Sequence, residues 1–431
     1  MPTVDSEPKR GAVYPPESRF AQIDNIDLTD LSFWAQPYGD RDAAFAALRG
    51  RPEPVLFREP VMPGFGQGSG YYAMVRHADI AEVSRRPQDF GSVPTAISII
   101  DLPEEFNNFF GSMINMDNPQ HARMRRLVSR AFGRGMAAEF EAASHKAARK
   151  IVDDLIAEGP GDFVRKVAAI MPIAVLSGMM GIPDDDYEFI YDRSNIIVGT
   201  FDPEYVPRAD QATAALLKTS HELADYIARL AADRTRNPTG DLITRLVQAQ
   251  IDGERLSPEE LSSFFILLVV AGMETTRNAI SRGLVLLSEH PEQRKLLLSD
   301  FEAHAPGAVE EILRVATPIN WMRRTVRRDC EVNGHRFEEG DKLLLFYWSA
   351  NRDEDVFPDP YEFDITRDPN PHMTFGSVGP HFCLGAHLAR MEVTVLFREL
   401  FSRLPEIRTV GEPRRLVASF VEAIKHVECA F

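Results

Sequence analysis

The most uneven stretch of the hydropathy pattern lies past the middle of the chain, where FFILLVVAGM, Phe264 to Met273, is apolar on every side of a helical projection. A helix without a polar face has to be buried. Ser257, Pro258 and Glu260 form a capping-box start and Pro291 a stop, which predicts a helix of roughly thirty residues, about 45 Å long. The apolar run is about half of the ~20 residues that span a bilayer, so the pattern predicts a core helix. No Gly/Ser-rich linker, repeat or low-complexity tract divides the 431 residues, and a single domain over 1–431 is expected. That domain is read as mainly α with a smaller β-rich part, its strands falling near 50–76, 318–350 and 405–431.

Polar residues interrupt the apolar helix at one place. Glu274, Thr275 and Thr276 follow Met273 directly, and a carboxylate in a buried helix is costly unless it is paired or has work to do. Thr275 can bond back to the carbonyl of Ala271, and Gly272 lets that turn open into a local groove. Taken alone, the acid and alcohol would read equally well as residues of a half-exposed face.

Composition narrows the setting. The N-terminal segment is polar and proline-rich and lacks the apolar core of a signal or anchor, so a soluble, cytoplasmic protein that does not span a membrane is expected. Cys330, Cys383 and Cys429 are too few and scattered for a disulfide framework. A formal net charge of -16 argues against nucleic acid as a partner.

Cys383 stands out among the three. It lies in FGSVGPHFCLGAHL, between glycines and directly before an amphipathic helix beginning near Leu384. The partial positive charge of a helix start favours a thiolate, and Gly379 and Gly385 would let a flat ligand approach the backbone. A buried, inert cysteine is the plain alternative. His381, Cys383 and His387 could also suggest zinc, although no second Cys or His pair completes four ligands, and there is no C-x-x-C-H for covalent heme attachment.

With these residues in view, FGSVGPHFCLG resembles the cysteine-ligand loop of the cytochrome P-450 superfamily, in the longer form that has one extra residue between Gly376 and Gly379. Long stretches, including SFWAQPYGDRDAAFAALR and LSSFFILLVVAGMETTRNAIS, are similar to the methyl-branched lipid omega-hydroxylases. Met273 stands where such relatives often carry Asn. The resemblance implies the P-450 fold, with heme b between the long central helix and the cysteine-ligand helix, and Cys383 as axial ligand of the iron. It implies that Glu274 feeds protons and Thr275 holds dioxygen and its water in the groove, beside Ala271. His121, Arg125, Arg324, His381 and Gly385 then contact the cofactor, the cations meeting its two propionates. Glu311 and Arg314 of EEILR, with Arg367, become a buried scaffold beneath the ligand loop.

The resemblance also bears on partners. Arg123, Arg126, Arg130 and Arg134 form a basic stripe on an acidic chain, ordinarily a solvated helix face. In the family that helix lies on the cysteine side, where Arg123, Arg126 and Arg130 would receive an acidic ferredoxin served by its reductase. The pocket is expected from apolar residues at Ile97, Ile99, Phe106, Phe110, Ile197, Phe201, Leu267, Ile319 and Met322, which suits a branched lipid, a fatty acid, a terpenoid or a sterol side chain. The expected reaction is (omega-)hydroxylation of such a substrate with electrons from NAD(P)H through the ferredoxin. A sterol side-chain hydroxylase, a peroxide-driven heme-thiolate enzyme, a cysteine hydrolase and a non-catalytic heme sensor are the competing readings.

Overall fold

The computed structural model describes residues 26–61, 68–102, 106, 109–132, 136–250 and 253–431. The expected Arg134 lies outside them. In chain order come α1 (Leu31–Ala35), α2 (Tyr38–Arg49), β1 (Val55–Phe57), β2 (Tyr71–Met74), α3 (His77–Arg85) and β3 (Phe90–Gly91). The helical part follows: α4 (Gln120–Ala131), α5 (Met136–Glu158), α6 (Ile170–Met180), α7 (Tyr187–Val198), α8 (Ala212–Arg236), α9 (Leu242–Gln248), α10 (Pro258–Glu289), α11 (Pro291–Ser299) and α12 (Phe301–Ala316). Strands then return as β4 (Trp321–Val326), β5 (Cys330–Val332), β6 (His335–Phe337) and β7 (Lys342–Phe346), before α13 (Tyr347–Ala350), α14 (Ala386–Arg403), β8 (Arg408–Arg415) and β9 (Ile424–Ala430).

The five-stranded sheet runs β1-β2-β7-β4-β3, with β2 parallel to β7 and the other pairs antiparallel. β7, KLLLF, is buried at every position, as a central strand covered on both faces has to be. One face packs Trp34, Phe45, Trp321, Phe346 and Trp348 from α1, α2, β4, β7 and α13 into an aromatic core. Ile99 joins that core at 8% exposure, so it is a packing residue there and not the pocket wall expected from sequence.

α10 is the axis of the helical part. Its capping box is formed as the sequence predicts: Glu260 N–H donates to Ser257 Oγ at 3.1 Å and Ser257 N–H to Glu260 Oε2 at 2.9 Å. It is the one helix among the described residues long and apolar enough to cross a bilayer, but most of its apolar stretch is buried inside the protein. The helix continues unbroken through Gly272. What the glycine provides is room, because a Cβ there would come within 2.9 Å of Leu176 on α6. The local opening expected at this turn is therefore close helix packing.

α12 carries a fully buried ion pair with many hydrogen-bond partners. Arg314 donates to both Glu311 oxygens, at 2.8 and 2.7 Å, and to the carbonyls of Asn351, Pro360 and Glu362 at 2.7–2.9 Å. Glu311 also accepts from the Asp364 N–H, from Arg367 Nε and from Asn370 Nδ2 at 3.0–3.3 Å. Glu311 and Arg314 have no exposed surface, and an unpaired charge here would be far costlier than the few tenths of a kcal/mol usual for an i, i+3 pair. The next links reach toward the cysteine loop. Thr374 Oγ1 donates to the Leu313 carbonyl at 2.8 Å, and the Met373 N–H donates to Asn351 Oδ1 at 2.6 Å. Replacing Glu311 with Gln leaves Arg314 and Arg367 without their shared anion. The variant is expected to lose about 3–5 kcal/mol of stability and most of its cofactor, checked by denaturant titration and by the ratio of Soret to protein absorbance.

Candidate functional site

Within the buried length of α10 one stripe is open. Leu267, Leu268, Val270, Ala271, Gly272 and Thr275 are accessible, whereas Val269, Met273, Glu274 and Thr276 are buried. Leu267, Ala271 and Thr275 follow each other at helical spacing, so they share one accessible face of the helix. Thr275 Oγ1 donates to the Ala271 carbonyl at 2.7 Å, the bond anticipated from sequence. Met273 faces away and packs in the main core.

Glu274 does not share the open face. At 2% exposure it turns toward α7, where Ser194 Oγ donates to Glu274 Oε1 at 3.3 Å. It also forms an ion pair with Arg277, one turn along α10 and equally buried. Burial pushes its carboxyl above the usual carboxylate range, with Arg277 and Ser194 pulling the other way. Arg277, Ser194 and Asn195 were not singled out from sequence, because a helix-terminal Ser-Asn pair carries no signal until α7 is packed on α10.

Cys383 lies two residues before the cap of α14, whose first turn begins at Ala386 and not near Leu384, since Gly385 takes the cap position. The Cys383 N–H donates to the Phe375 carbonyl at 3.0 Å, closing the loop. Phe382, Cys383 and Leu384 are accessible. Surrounding protein nonetheless excludes enough water to push the thiol pKa up, while the Gly385 N–H, Arg125 and Arg390 favour the anion. Accessibility and desolvation agree if the sulfur opens on a recess. A Cβ on Gly385 would meet nothing nearer than the Cys383 sulfur at 4.0 Å, so that position is open. Gly379 is glycine for another reason than expected: a Cβ would come within 2.5 Å of the Ser84 carbonyl on α3.

Beside the loop, two imidazoles and two guanidiniums gather. The His121 and His381 rings lie 4.2 Å apart, and Ser92 Oγ is 3.1 Å from His381 Nε2. Burial, then Arg324, His121 and Arg125, push the His381 imidazole down to about 2. His121 is likewise lowered by burial and by Arg125, and its Nε2 is buried without a partner. Arg324 is buried, lowered by that burial, and donates to the Arg323 carbonyl at 2.8 Å. Arg125 donates to the carbonyls of Pro380 and Phe382 at 2.8 and 2.9 Å, so it also fixes the cysteine loop. The neighbouring Asp117 is occupied by Arg327 and by the N–H groups of Ser92 and Val93. The cluster is short of negative charge, and a group bearing two carboxylates would balance it.

The segment 93–102 is strapped to the sheet. Arg323 donates its backbone N–H to the Ala96 carbonyl at 2.8 Å and its guanidinium to the Ile99 carbonyl at 3.1 Å. Asp101 pairs with Arg323 at 2.7 Å and with Lys342 at 3.0 Å. Of the other expected wall residues, Ile97, Phe110, Ile197, Leu267, Ile319 and Met322 are half-buried and Phe106 is buried, whereas Phe201 is 54% exposed. A separate surface recess of about 760 Å³, lined by His145, His304, His387 and Arg398 among others, lies behind α14.

The basic stripe of α4 is partly committed elsewhere. Arg123, placed with the docking residues from sequence, is ion-paired to Glu254 and Glu260 and staples α4 to the start of α10. Arg130 Nη1 donates to the Gln250 carbonyl at 3.0 Å but remains exposed, and Arg126 is exposed.

The model of the family described as cytochrome P450 matches residues 102–302 and 305–405. The chain belongs to the cytochrome P450 family. It is a heme-binding monooxygenase, an oxidoreductase with the mainly α fold of that family and its smaller sheets. Among its relatives is the methyl-branched lipid omega-hydroxylase of Mycobacterium tuberculosis, 45% identical over 415 residues and 95% of both chains. The steroid C26-monooxygenase of Mycolicibacterium smegmatis is 38% identical over 84% of each. A cytochrome P450 of Mycobacterium marinum, solved in complex with pseudoionone, superposes with a TM-score of 0.88 at 38% identity, covering 95% of this chain and all of that one. With heme as the resident cofactor, replacing Arg324 with Leu removes a buried cation from the charge-deficient cluster. Less heme per chain is expected after purification, together with faster heme transfer to an excess of apomyoglobin.

Proposed function

We propose that this P450 hydroxylates the terminal methyl region of methyl-branched lipids, with electrons from NAD(P)H delivered by a ferredoxin and its reductase. The observation that carries the reading is the open stripe of α10, apolar at Leu267, Leu268, Val270 and Ala271 and ending in a single hydroxyl at Thr275. Such a surface offers an aliphatic chain no polar anchor before the reacting end, so position has to come from shape. The overall balance is RH + O2 + NAD(P)H + H⁺ → ROH + H2O + NAD(P)⁺.

In this reading the whole chain is one heme-binding domain, working in the cytoplasm. Cys383 supplies the thiolate ligand, and His121, Arg125, Arg324 and His381 hold the propionates. Bound in this way, heme provides the oxidising iron centre that activates dioxygen. Thr275 has its own proton committed to the Ala271 carbonyl, which leaves its oxygen free to accept and orient a water in the groove. Glu274, next to Thr275 in the chain and held by Ser194 and Arg277, is the proton source in this reading. Glu311, Arg314 and Arg367 fix the segment that carries the cysteine. An acidic ferredoxin meets the exposed Arg126 and Arg130, beside Arg123, which is ion-paired to Glu254 and Glu260.

A second reading, oxidation of the end of a sterol side chain, draws on the relatives named as steroid C26-monooxygenases. Both place the reaction at the end of a branched aliphatic chain. The deciding measurement offers branched fatty acids and side-chain-intact sterols to the reconstituted enzyme. A high-spin shift with the branched lipids, and a terminal alcohol exceeding subterminal products by about tenfold, is the expected result; selective response to sterols favours the second reading, and response to neither overturns both. Two variants test the roles. Cys383→Ser is expected to lose the long-wavelength Soret band of the reduced carbon monoxide complex. Thr275→Ala is expected to retain that band but send most electrons to peroxide, measured as product formed per NAD(P)H consumed.

A further inference from the structure

The chain as a whole carries a formal net charge of -16, yet at one place away from the cysteine loop cations outnumber acids. Arg41 on α2, Arg282 on α10, Arg352 just after α13 and Arg415 at the end of β8 gather around the rings of Tyr38 and Trp348. Those rings stack with their centroids 5.5 Å apart. The guanidinium carbons of Arg282 and Arg415 each lie 4.5 Å from the centre of Tyr38 and that of Arg41 lies 5.5 Å from it, so three like charges converge on one side chain. Two carboxylates answer the four guanidiniums. Asp42 pairs with Arg352 at 3.0 Å and accepts from Trp348 Nε1 at 2.8 Å, while Glu422 pairs with Arg41 at 2.7 Å and accepts from the Tyr38 hydroxyl at 3.0 Å. Glu289, exposed at the end of α10, comes no nearer to Arg282 than 3.8 Å, beyond hydrogen-bond reach.

Carbonyl groups take up some of the donors but none of the charge. Arg352 donates to the carbonyls of Trp348 and Val315 at 3.3 and 2.8 Å, and Arg415 Nη2 to those of Ala35 and Gln36 at 3.0 and 2.7 Å. Arg41 Nε and Nη2 and Arg415 Nη1 are shut off from solvent and make no hydrogen bond, although Arg41 is 1% exposed. The rings of Trp34, Tyr38 and Trp348 surround the Arg41 guanidinium at 4.5–5.5 Å and stabilise it through their faces, but they bring no negative charge. Crowding is felt at Arg352, which burial pushes down to about 10, with Arg314, Arg41 and Arg282 adding to the effect and Asp42 opposing it. Tyr38 does not supply the missing charge: burial and Glu422 push its hydroxyl up to about 12, so it stays neutral.

We propose that Arg41, Arg282 and Arg415 bind a small oxyanion of the phosphate or carboxylate class beside Tyr38, an internal counter-ion that fastens α2 and the β8–β9 hairpin to α10. Guanidinium forks suit oxyanions. Water can fill the same donors but leaves the surplus charge uncompensated. Arg41 supplies its N–H groups from the inside, and Arg282 and Arg415, both partly exposed, stand on the solvent side. The site is separate from the cysteine loop, and it stands whichever lipid the enzyme oxidises.

The test uses the full-length, heme-loaded enzyme. Its thermal midpoint is followed as inorganic phosphate or formate replaces gluconate, which is too bulky for so enclosed a place, at constant pH and ionic strength. A saturable rise of about 2–3 °C is expected in the parent. Arg41→Gln is expected to lose the rise, Arg282→Gln to need at least about tenfold more phosphate for half of it, and Arg282→Lys to keep most of it. Arg282 is the less buried position, so Arg282→Gln carries the comparison where Arg41→Gln fails to fold. Crystals grown with selenate are expected to show its anomalous signal within hydrogen-bond reach of Arg41 and Arg415. An equal rise with chloride means a general salt effect and overturns the site. Lower basal stability in the variants with an undiminished phosphate response means a packing role only, and that overturns it too, as does a selenate signal confined to other places.

Discussion

The Glu311–Arg314 pair is the constraint on which the rest of the site depends. Its two side chains carry opposite charges in a place with no water, and they are tolerable there only because their polar atoms are spoken for by Asn351, Pro360, Glu362, Asp364, Arg367 and Asn370. Satisfying a buried ion pair thus forces an irregular stretch of chain into one path. That path delivers Met373 and Thr374 to fixed bonds on Asn351 and Leu313, and the loop bearing Cys383 starts from there. A cysteine on an unsupported loop could not be presented at a reproducible depth.

Two charge clusters in the molecule illustrate opposite uses of burial. Around Glu311 both carboxylate oxygens are shared between Arg314, Arg367 and backbone or amide N–H donors, which gives rigidity. Around Arg324, His121 and His381 burial lowers all three pKa values, and Arg324 and Arg125 lower those of the two histidines further. Glu274 stands between these cases: one oxygen accepts from Ser194 and the other pairs with Arg277, with no further donor on either.

How much of this can be read from the sequence depends on whether the signal is local. The start of α10 was legible because a capping box lies within four residues, and the Thr275–Ala271 bond because it spans one helical turn. The E-x-x-R pair and the cysteine loop were legible as motifs. Where tertiary contact decides, pattern was insufficient. A stripe of arginines on α4 looks the same whether it meets a partner protein or Glu254 and Glu260 of its own chain, and Arg123 is engaged by these two. Ile99 has the same hydropathy in an aromatic core as in a cavity wall. The glycine at 379 was attributed to a cofactor's approach, when it is the Ser84 carbonyl that comes close. Arg277 was overlooked because its meaning comes from two small polar residues on another helix.

The strap on segment 93–102 has a consequence for shape. With Asp101 bound to Arg323 and Lys342, and the carbonyls of Ala96 and Ile99 held by Arg323, this segment is ordered by the sheet. A segment ordered beforehand adds no entropy cost when something packs against it, and it does not yield to a misfit. Its path is as stiff as β4 and β7, like a rail bolted to a plate.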